Sequence, residues 1–145
     1  MSAPIKEKKG QCRSIWWADP QAKKSFNESL SHCKSDKADS LRARVEALIE
    51  KLADYHLGTR RGLQKVNFPE EGPLPGKPGM PKGKYRAIKK IPVRLYGWFY
   101  ESEGHPQISK GDFVIAHCVH KDYQNKKKEM DNKVGNKWTK LEVSK

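Results

Sequence analysis

Cysteine is scarce in this sequence and is not spaced for a disulfide framework or a zinc ribbon. Cys12, Cys33 and Cys118 are odd in number and far apart in a chain of 145 residues, and no two of them form a CxxC pair. A scattered set of this kind is typical of a reducing compartment. We therefore expect a cytoplasmic protein.

Closely spaced metal ligands are lacking as well. His117 and His120 are three residues apart, and on the strand predicted there they point to opposite faces. We expect neither a metal site nor a cofactor.

Long apolar runs are also missing. The N-terminal residues, MSAPIKEKKGQCRS, lack the apolar core of a signal peptide, and no later stretch approaches the roughly 20 apolar residues of a membrane span. We expect no membrane partner. The length fits a single domain over 1–145.

Negative charge is in short supply. Asp and Glu number 17 against 30 Lys and Arg, which gives a formal net charge of +13. An excess of this size is more than a soluble surface needs. It favours a polyanionic partner, either a nucleic acid or an acidic protein.

The N-terminal half predicts one strand and two helices. The compact aromatic segment 12–18 suits a strand, and Asp19-Pro20 suits a helix start, so we expect a helix from about Pro20 to Cys33. A second amphipathic helix is expected between a cap at Asp39 or Ser40 and Gly58. The two helices should form an antiparallel hairpin with one shared apolar side.

Three segments predict little regular structure. Residues 1–11 form a polar tail that we expect to be flexible, and 69–84 is rich in proline and glycine and should be a loop. The basic segment 125–145 contains a short predicted helix over 125–134 that ends at Gly135.

The C-terminal half predicts three strands. Segments 85–91, 93–101 and 113–120 are rich in aromatic and β-branched residues and should form an antiparallel meander. The expected order is β-α-α-β-β-β-α, an α+β fold with two N-terminal helices packed on a small antiparallel sheet.

Four phrases, in order along the chain, resemble the RelE/ParE toxin superfamily and its HigB-like, phage-derived branch. IWWADPQA (15–22) resembles I-E-F-S-P-x-A, and KYRAIK (84–89) stands where the family has L-W-E-L-R. VRLYGWF (93–99) resembles Y-R-V-L-Y-F, and HCVHKDYQNK (117–126) resembles H-A-F-V-K-K-T-Q-K. The resemblance covers 12–134 and implies a small domain similar to the microbial ribonucleases.

The resemblance implies the toxin of a type II toxin–antitoxin pair. Such proteins are ribosome-dependent mRNA endoribonucleases that inhibit translation without a metal, so the implied partners are a cognate antitoxin, the ribosome and mRNA. Two alternatives remain open: a ParE-like inhibitor of DNA gyrase, and an inactive RNA- or DNA-binding module of the same fold. The second is left open by Ala87 and Lys89, which stand where the family has an acidic residue and an arginine.

The candidate catalytic residues come from the last two strands and the segment after them. Strand alternation puts Arg94 on one face with Tyr96, Trp98 and Tyr100, where it suits a phosphate, although an ion pair with Glu101 or Glu103 is the alternative. The complete candidate set is Arg94, Lys89, His120, Lys121, Asp122 and Tyr123.

Specific roles are expected for most of these side chains. His120 is the expected proton shuttle, Asp122 would orient a neighbour, and Tyr123 would stack on a base or pack on the last helix. Lys89 would stabilise charge or act as a base. His117 is expected in the core. The clustering of His120 and Tyr123 with Arg94 favours the ribonuclease over the gyrase inhibitor, which needs no proton transfer.

Further lysines and arginines are predicted to contact the RNA backbone, because they lie in the proline-rich loop, the following strand and the basic C-terminal segment. They are Lys82, Lys84, Arg86, Lys90, Lys126, Lys127 and Lys128.

Overall fold

The protein folds as an α+β domain with one mixed sheet and helices on both of its faces. The computed structural model describes residues 3–79, 82–122 and 127–143, with side chains from 129 onward in the last range. The strands are β1 (Ile5–Lys9), β2 (Ser14–Trp17), β3 (Glu70–Pro73), β4 (Lys84–Lys90), β5 (Val93–Phe99) and β6 (Phe113–His120). The helices are α1 (Pro20–Ser31), α2 (Ser35–Asp54) and α3 (Lys127–Glu142), with one 3-10 turn at Lys65–Asn67. Within the described ranges, no helix is long and apolar enough to cross a membrane.

The sheet has six strands in the order β1-β2-β6-β5-β4-β3 among the described residues. Every neighbouring pair is antiparallel except β2 and β6, which are parallel. The small, purely antiparallel sheet expected from the sequence is therefore wrong, and the element order is β-β-α-α-β-β-β-β-α. The parallel pair arises because β2 and β6 are distant in sequence, and only tertiary packing brings them together.

Both edge strands lie in segments where no strand was expected. The tail 1–11 contains β1, and the loop 69–84 contains β3. Lysine-rich β1 and proline-containing β3 have the composition of strands that protect a sheet edge from further pairing. The local sequence therefore does not predict β1 and β3 as strands. β1 is held by its partner strand, where Trp17 Nε1 donates to Glu7 Oε1 at 2.7 Å.

The helices cover the sheet differently from the predicted helical hairpin. α1 lies along β6, whereas α2 crosses β4 and reaches β1, so each helix packs more on the sheet than on the other helix. Together they bury the face that carries Trp17, Leu95 and Phe113, which we call the α1/α2 face. The opposite face, which carries Trp16 and Trp98, is covered by α3 and is called the α3 face.

Two helix boundaries also differ from the sequence-based expectation. α2 begins at Ser35, ahead of the expected caps at Asp39 and Ser40. α3 continues through Gly135 to Glu142 instead of ending at the glycine. The reason for the longer α3 is packing, because Met130, Val134 and Trp138 form one buried stripe on the α3 face, which is a larger stabilisation than the cost of a helical glycine.

Side chains of α1 hydrogen-bond the part of the β6 edge that β2 does not cover. β2 pairs with β6 only at 113–115, so the backbone beyond Ile115 has no strand partner on that side. Two buried α1 serines supply the missing hydrogen bonds: the Cys118 N–H donates to Ser25 Oγ at 2.8 Å, and Ser29 Oγ donates to the Cys118 carbonyl at 3.3 Å. This pairing fixes the position of α1 along β6.

The C-terminal end of α3 is fixed by a buried carboxylate. Glu142 is 2 % exposed and accepts from Trp98 Nε1 at 2.8 Å, from the Glu101 N–H at 3.0 Å and from the Ser102 N–H at 2.9 Å. Three donors, two of them buried and one part-buried, depend on this one side chain, and a buried donor without an acceptor costs free energy.

We predict that Glu142→Ala lowers the free energy of unfolding by about 3 kcal/mol, because it leaves those donors unsatisfied. The matched control is Glu129→Ala on the same helix, where the carboxylate is half-exposed and pairs with Lys133 at 3.6 Å. That loss should be below about 0.5 kcal/mol. Urea denaturation followed by circular dichroism measures both. Equal destabilisation of the two variants would contradict the anchoring role of Glu142.

Candidate functional site

The predicted catalytic residues that the structure describes meet at one end of the sheet. At this lower end, β4 turns into β5 through Ile91 and Pro92, and β6 ends at His120. The Lys121 N–H donates to the Pro92 carbonyl at 2.7 Å and so ties the end of β6 to this turn. Lys89, Arg94, His120, Lys121 and Asp122 therefore lie near one another in the fold, whereas Tyr123 lies outside the described residues.

Strand register nevertheless divides these residues between the two faces. Arg94 is paired with Lys89 on β4 and with Val119 on β6, which puts Lys89 and Arg94 together on the α3 face. His120 is paired with Val93, a residue of the α1/α2 core. The expected cluster of His120 with Arg94 is therefore not formed.

His120 lies against a second histidine instead. Its ring is edge-on to that of His32 at the end of α1, with centroids 5.8 Å apart, and Nδ1 accepts from the Asp122 N–H at 3.2 Å. Asp122 thus orients His120 through its backbone. Burial lowers the pKa of His120, although the Asp122 carboxylate opposes this shift.

A β-bulge brings a different histidine to the face of Arg94. The register between β5 and β6 shifts between Tyr96 and Gly97, so that Tyr96 faces His117 while Gly97 faces Ile115. The extra residue is Ala116. His117 therefore shares the α3 face with Tyr96, and a bulge is a common device for re-aiming a side chain.

Four polar side chains consequently form a staggered array on the α3 face at the lower end, with Lys89 on β4, Arg94 and Tyr96 on β5, and His117 on β6. Lys89 and Arg94 are one cross-strand pair, and Tyr96 and His117 are the next. Directly paired residues have Cβ atoms about 5 Å apart. We call this array of Lys89, Arg94, Tyr96 and His117 the polar block. Its floor is the buried Tyr96 and His117, and its rim is the partly exposed Lys89 and Arg94.

Arg94 is held inside the block by two groups. One guanidinium nitrogen lies 3.2 Å from Glu71 Oε1, and the guanidinium lies beside the Tyr96 hydroxyl, where it opposes the rise in the pKa of that phenol. The sequence-based alternative was an ion pair of Arg94 with Glu101 or Glu103, but the carboxylate that pairs with Arg94 is that of Glu71. That residue sits at a bulge in β3, between Glu70 and Gly72, which turns it toward Arg94.

Burial sets the protonation of the block. It lowers the pKa of His117 to about 4, with Lys133 and Lys137 adding to the shift and Asp19 opposing it, so the imidazole is neutral at pH 7. Burial also raises the pKa of Tyr96, so its phenol keeps its proton. A cluster of perturbed groups of this kind is typical of functional sites.

Polar contacts from α1 and α3 close one side of the block. Lys137 Nζ lies 3.1 Å from Asp19 Oδ1 and donates to the Ala116 carbonyl at 2.7 Å, at the bulge itself. Gln21 Nε2 lies 3.4 Å from His117 Nδ1. His117 is in the core as expected, but its neighbours are polar.

The predicted RNA-binding residues are spread over the molecule. Lys82, Lys84 and Arg86 line an open groove of about 470 Å³ that also contains Glu70 and Glu101, away from the lower end. Glu70 pairs with Lys84 at 3.5 Å and with Arg86 at 3.2 Å, so this groove is largely neutralised.

The remaining predicted contacts are at the lower end or beyond the described side chains. Lys90 follows Ile88 by alternation and faces α1 and α2. Lys126 lies outside the described residues, and only the helical backbone of Lys127 and Lys128 is described. In the described part of the chain, no group of His, Cys, Asp and Glu has the arrangement of a metal site.

Glu71, His32 and the position of His117 beside Tyr96 are not predicted by the sequence. Strand alternation predicts that Tyr96 and Arg94 share a face, and this pattern could have identified Tyr96 as a candidate site residue. No local sequence pattern predicts the bulge at Ala116 or the bulge at Glu71, because both depend on the partner strand.

Comparison of the chain with protein-family models, with curated proteins and with solved structures found no match.

We predict that His117 makes the protein acid-sensitive. A group whose folded pKa lies below its unfolded value of 6.5 stabilises fully above pH 6.5, and that contribution is lost as the pH falls through about 4. The loss amounts to about 3 kcal/mol. His117→Gln should remove this part of the pH dependence, while His56→Gln on an exposed loop should not. Urea unfolding between pH 7.5 and pH 4 measures it, and an unchanged slope in His117→Gln would contradict the prediction.

Proposed function

We propose that this protein binds RNA and cleaves mRNA on the ribosome, as the toxin of a toxin–antitoxin pair that acts in the cytoplasm. The observation that carries the proposal is the polar block. It joins a guanidinium, an ammonium, a phenol and a neutral imidazole on one sheet face of a chain with net charge +13.

The block has the groups that RNA cleavage needs. The 2′-hydroxyl attacks the adjacent phosphorus, the bond from 2′-oxygen to phosphorus forms, and the bond to the 5′-oxygen breaks. His117 accepts the 2′ proton, Arg94 neutralises the added charge of the phosphorane, and Lys89 or Tyr96 protonates the leaving 5′-oxygen. The products are a 2′,3′-cyclic phosphate and a 5′-hydroxyl. No step requires a metal ion.

The protonation states suit these roles. Neutral imidazole is the form that accepts a proton, and an RNA phosphate next to His117 raises its pKa toward the working pH because the anion favours the imidazolium. The phenol of Tyr96 is protonated and can donate. Each group therefore starts the reaction in the state it needs.

The contact between Glu71 and Arg94 is an argument that Arg94 can bind a phosphate. A guanidinium recognises carboxylate and phosphate with the same planar set of donors. In the free protein the Glu71 carboxylate occupies that position, 3.2 Å from Arg94. An RNA phosphate would replace it, and an acidic segment of the antitoxin would compete for the same basic surface.

We predict that Arg94→Ala slows cleavage about a hundredfold, which corresponds to ~3 kcal/mol of transition-state stabilisation. Arg94→Lys keeps the charge but loses the planar fork, so it should recover only part of the rate. The matched control is Lys110→Ala, an exposed cation on the loop before β6. Primer extension on translating ribosomes measures the cuts. Wild-type rates for Arg94→Ala would overturn the assignment of Arg94.

The two histidines give a second and sharper test. His117→Gln should abolish most cleavage at pH 7.5, whereas His120→Gln should leave it within a few-fold of wild type, because only His117 shares a face with Arg94. Circular dichroism at the same pH checks that both variants are folded. The reverse result would move the catalytic centre to the opposite face. Full activity in both variants, with RNA binding intact, would favour a binding-only module.

A further inference from the structure

A second basic surface lies at the lower end, on the face opposite the polar block. It is a groove of about 510 Å³ between the α1–α2 connection and the turn from β4 to β5. Its lining residues are His32, Cys33, Lys34, Lys37, Ser40, Leu41, Arg44, Ile91 and Pro92. Among these nine residues none is acidic, so the three cations are not neutralised within the lining itself.

The cations form one row because of helix geometry. Lys34 precedes the first residue of α2, Lys37 lies in its first turn, and Arg44 is seven residues further on. Residues three and seven apart share one side of a helix. All three side chains are exposed, so they are available to an anion in solution.

The positive potential of the groove comes from its side chains and not from the start of α2. The partial positive charge of a helix N-terminus favours anions within about one turn, but the Asp36 carboxylate already lies in the first turn of α2 and accepts from the Lys37 N–H at 2.9 Å. The attraction of an anion to the groove therefore depends on Lys34, Lys37 and Arg44.

The other wall of the groove is apolar and flat. Ile91 is 62 % exposed at the turn, next to Pro92, and the His32 ring stands nearby against His120. Single-stranded RNA is held by basic side chains on its phosphates and by flat side chains, histidine among them, on its bases. The groove offers both surfaces side by side.

We infer that this groove is a second binding site, for the backbone and one base of single-stranded RNA. The phosphates bind Lys34, Lys37 and Arg44, and a base lies on Ile91, Pro92 and His32. Lys90 and Lys121 lie at the same end of the sheet as the groove and the polar block. This inference rests on the proposed RNA function. A protein partner fits less well, because Leu41, Ile91 and Pro92 are a small apolar area beside three separate charges.

Neutralisation of the row tests the site. The variant Lys34→Gln, Lys37→Gln, Arg44→Gln is compared with Lys51→Gln, Lys110→Gln, Lys140→Gln, which removes the same charge from exposed positions away from the lower end. A 20-nucleotide poly(U) RNA is titrated by fluorescence anisotropy at several salt concentrations. Each lost phosphate contact reduces the slope of log affinity against log salt by roughly 0.7.

The groove variant should therefore lose roughly 2 from the magnitude of the slope, and the control less than half of that. Equal slopes for the two variants would overturn the inference. The cleavage assay with the Arg94 variants tests the proposed activity separately. If cleavage depends on Arg94 while the groove variant binds RNA like its control, the nuclease proposal stands and the groove inference is wrong. If the salt slope depends on the groove residues but the protein cleaves no mRNA, the RNA-binding site stands and the proposed nuclease activity is wrong.

A cysteine in the groove gives a direct readout without mutation. Cys33 lines the groove, whereas Cys12, equally part-buried, contacts Asp54 at the far end of α2, roughly 30 Å along that helix. Poly(U) should slow maleimide labelling of Cys33 at least several-fold and leave Cys12 unchanged. Protection of Cys33 by poly-glutamate but not by poly(U) would overturn the RNA assignment in favour of an acidic protein.

Discussion

The pairing of β5 with β6 is the constraint on which the rest of this structure depends. These strands are the centre of the sheet, and their register decides which face every neighbouring side chain meets. One inserted residue, Ala116, moves His117 to the side of Tyr96 and Arg94 and leaves His120 on the other side. Without the bulge, strict alternation would place His117 toward α1 and α2. The composition of the polar block is thus a consequence of a single extra residue in one strand.

α3 converts that array into a chemically distinctive environment. Its buried stripe removes water from the α3 face, and its lysines Lys133 and Lys137 add positive charge beside His117. The same helix is fixed at its far end by Glu142 and near its middle by the contact of Lys137 with Asp19. Desolvation and fixed charge together keep His117 neutral and Tyr96 protonated, which is the starting condition for proton transfer in the proposed reaction.

The two basic surfaces differ in how their charge is balanced. In the polar block, Arg94 already has a carboxylate partner, and the block is closed on one side by polar contacts from α1 and α3. In the groove, Lys34, Lys37 and Arg44 face solvent, and the lining contains no carboxylate among the described residues. A buried, compensated site suits chemistry on one phosphate, and an exposed, uncompensated row suits salt-dependent attraction of a longer chain. Both surfaces lie at the same end of the sheet, on opposite faces.

The sequence by itself determined the elements whose signals are local. Asp19 and Pro20 set the start of α1, the aromatic run set β5, and 113–120 was predicted as the strand that the structure shows. Net charge pointed to a polyanion. Only tertiary structure decided what depends on a distant partner: the edge strands β1 and β3, the parallel pairing of β2 with β6, the continuation of α3 through Gly135, and the replacement of His120 by His117 beside Arg94. The physical reason is that propensity and capping act within a few residues, whereas register, bulges and burial are set by strands and helices that meet across the chain.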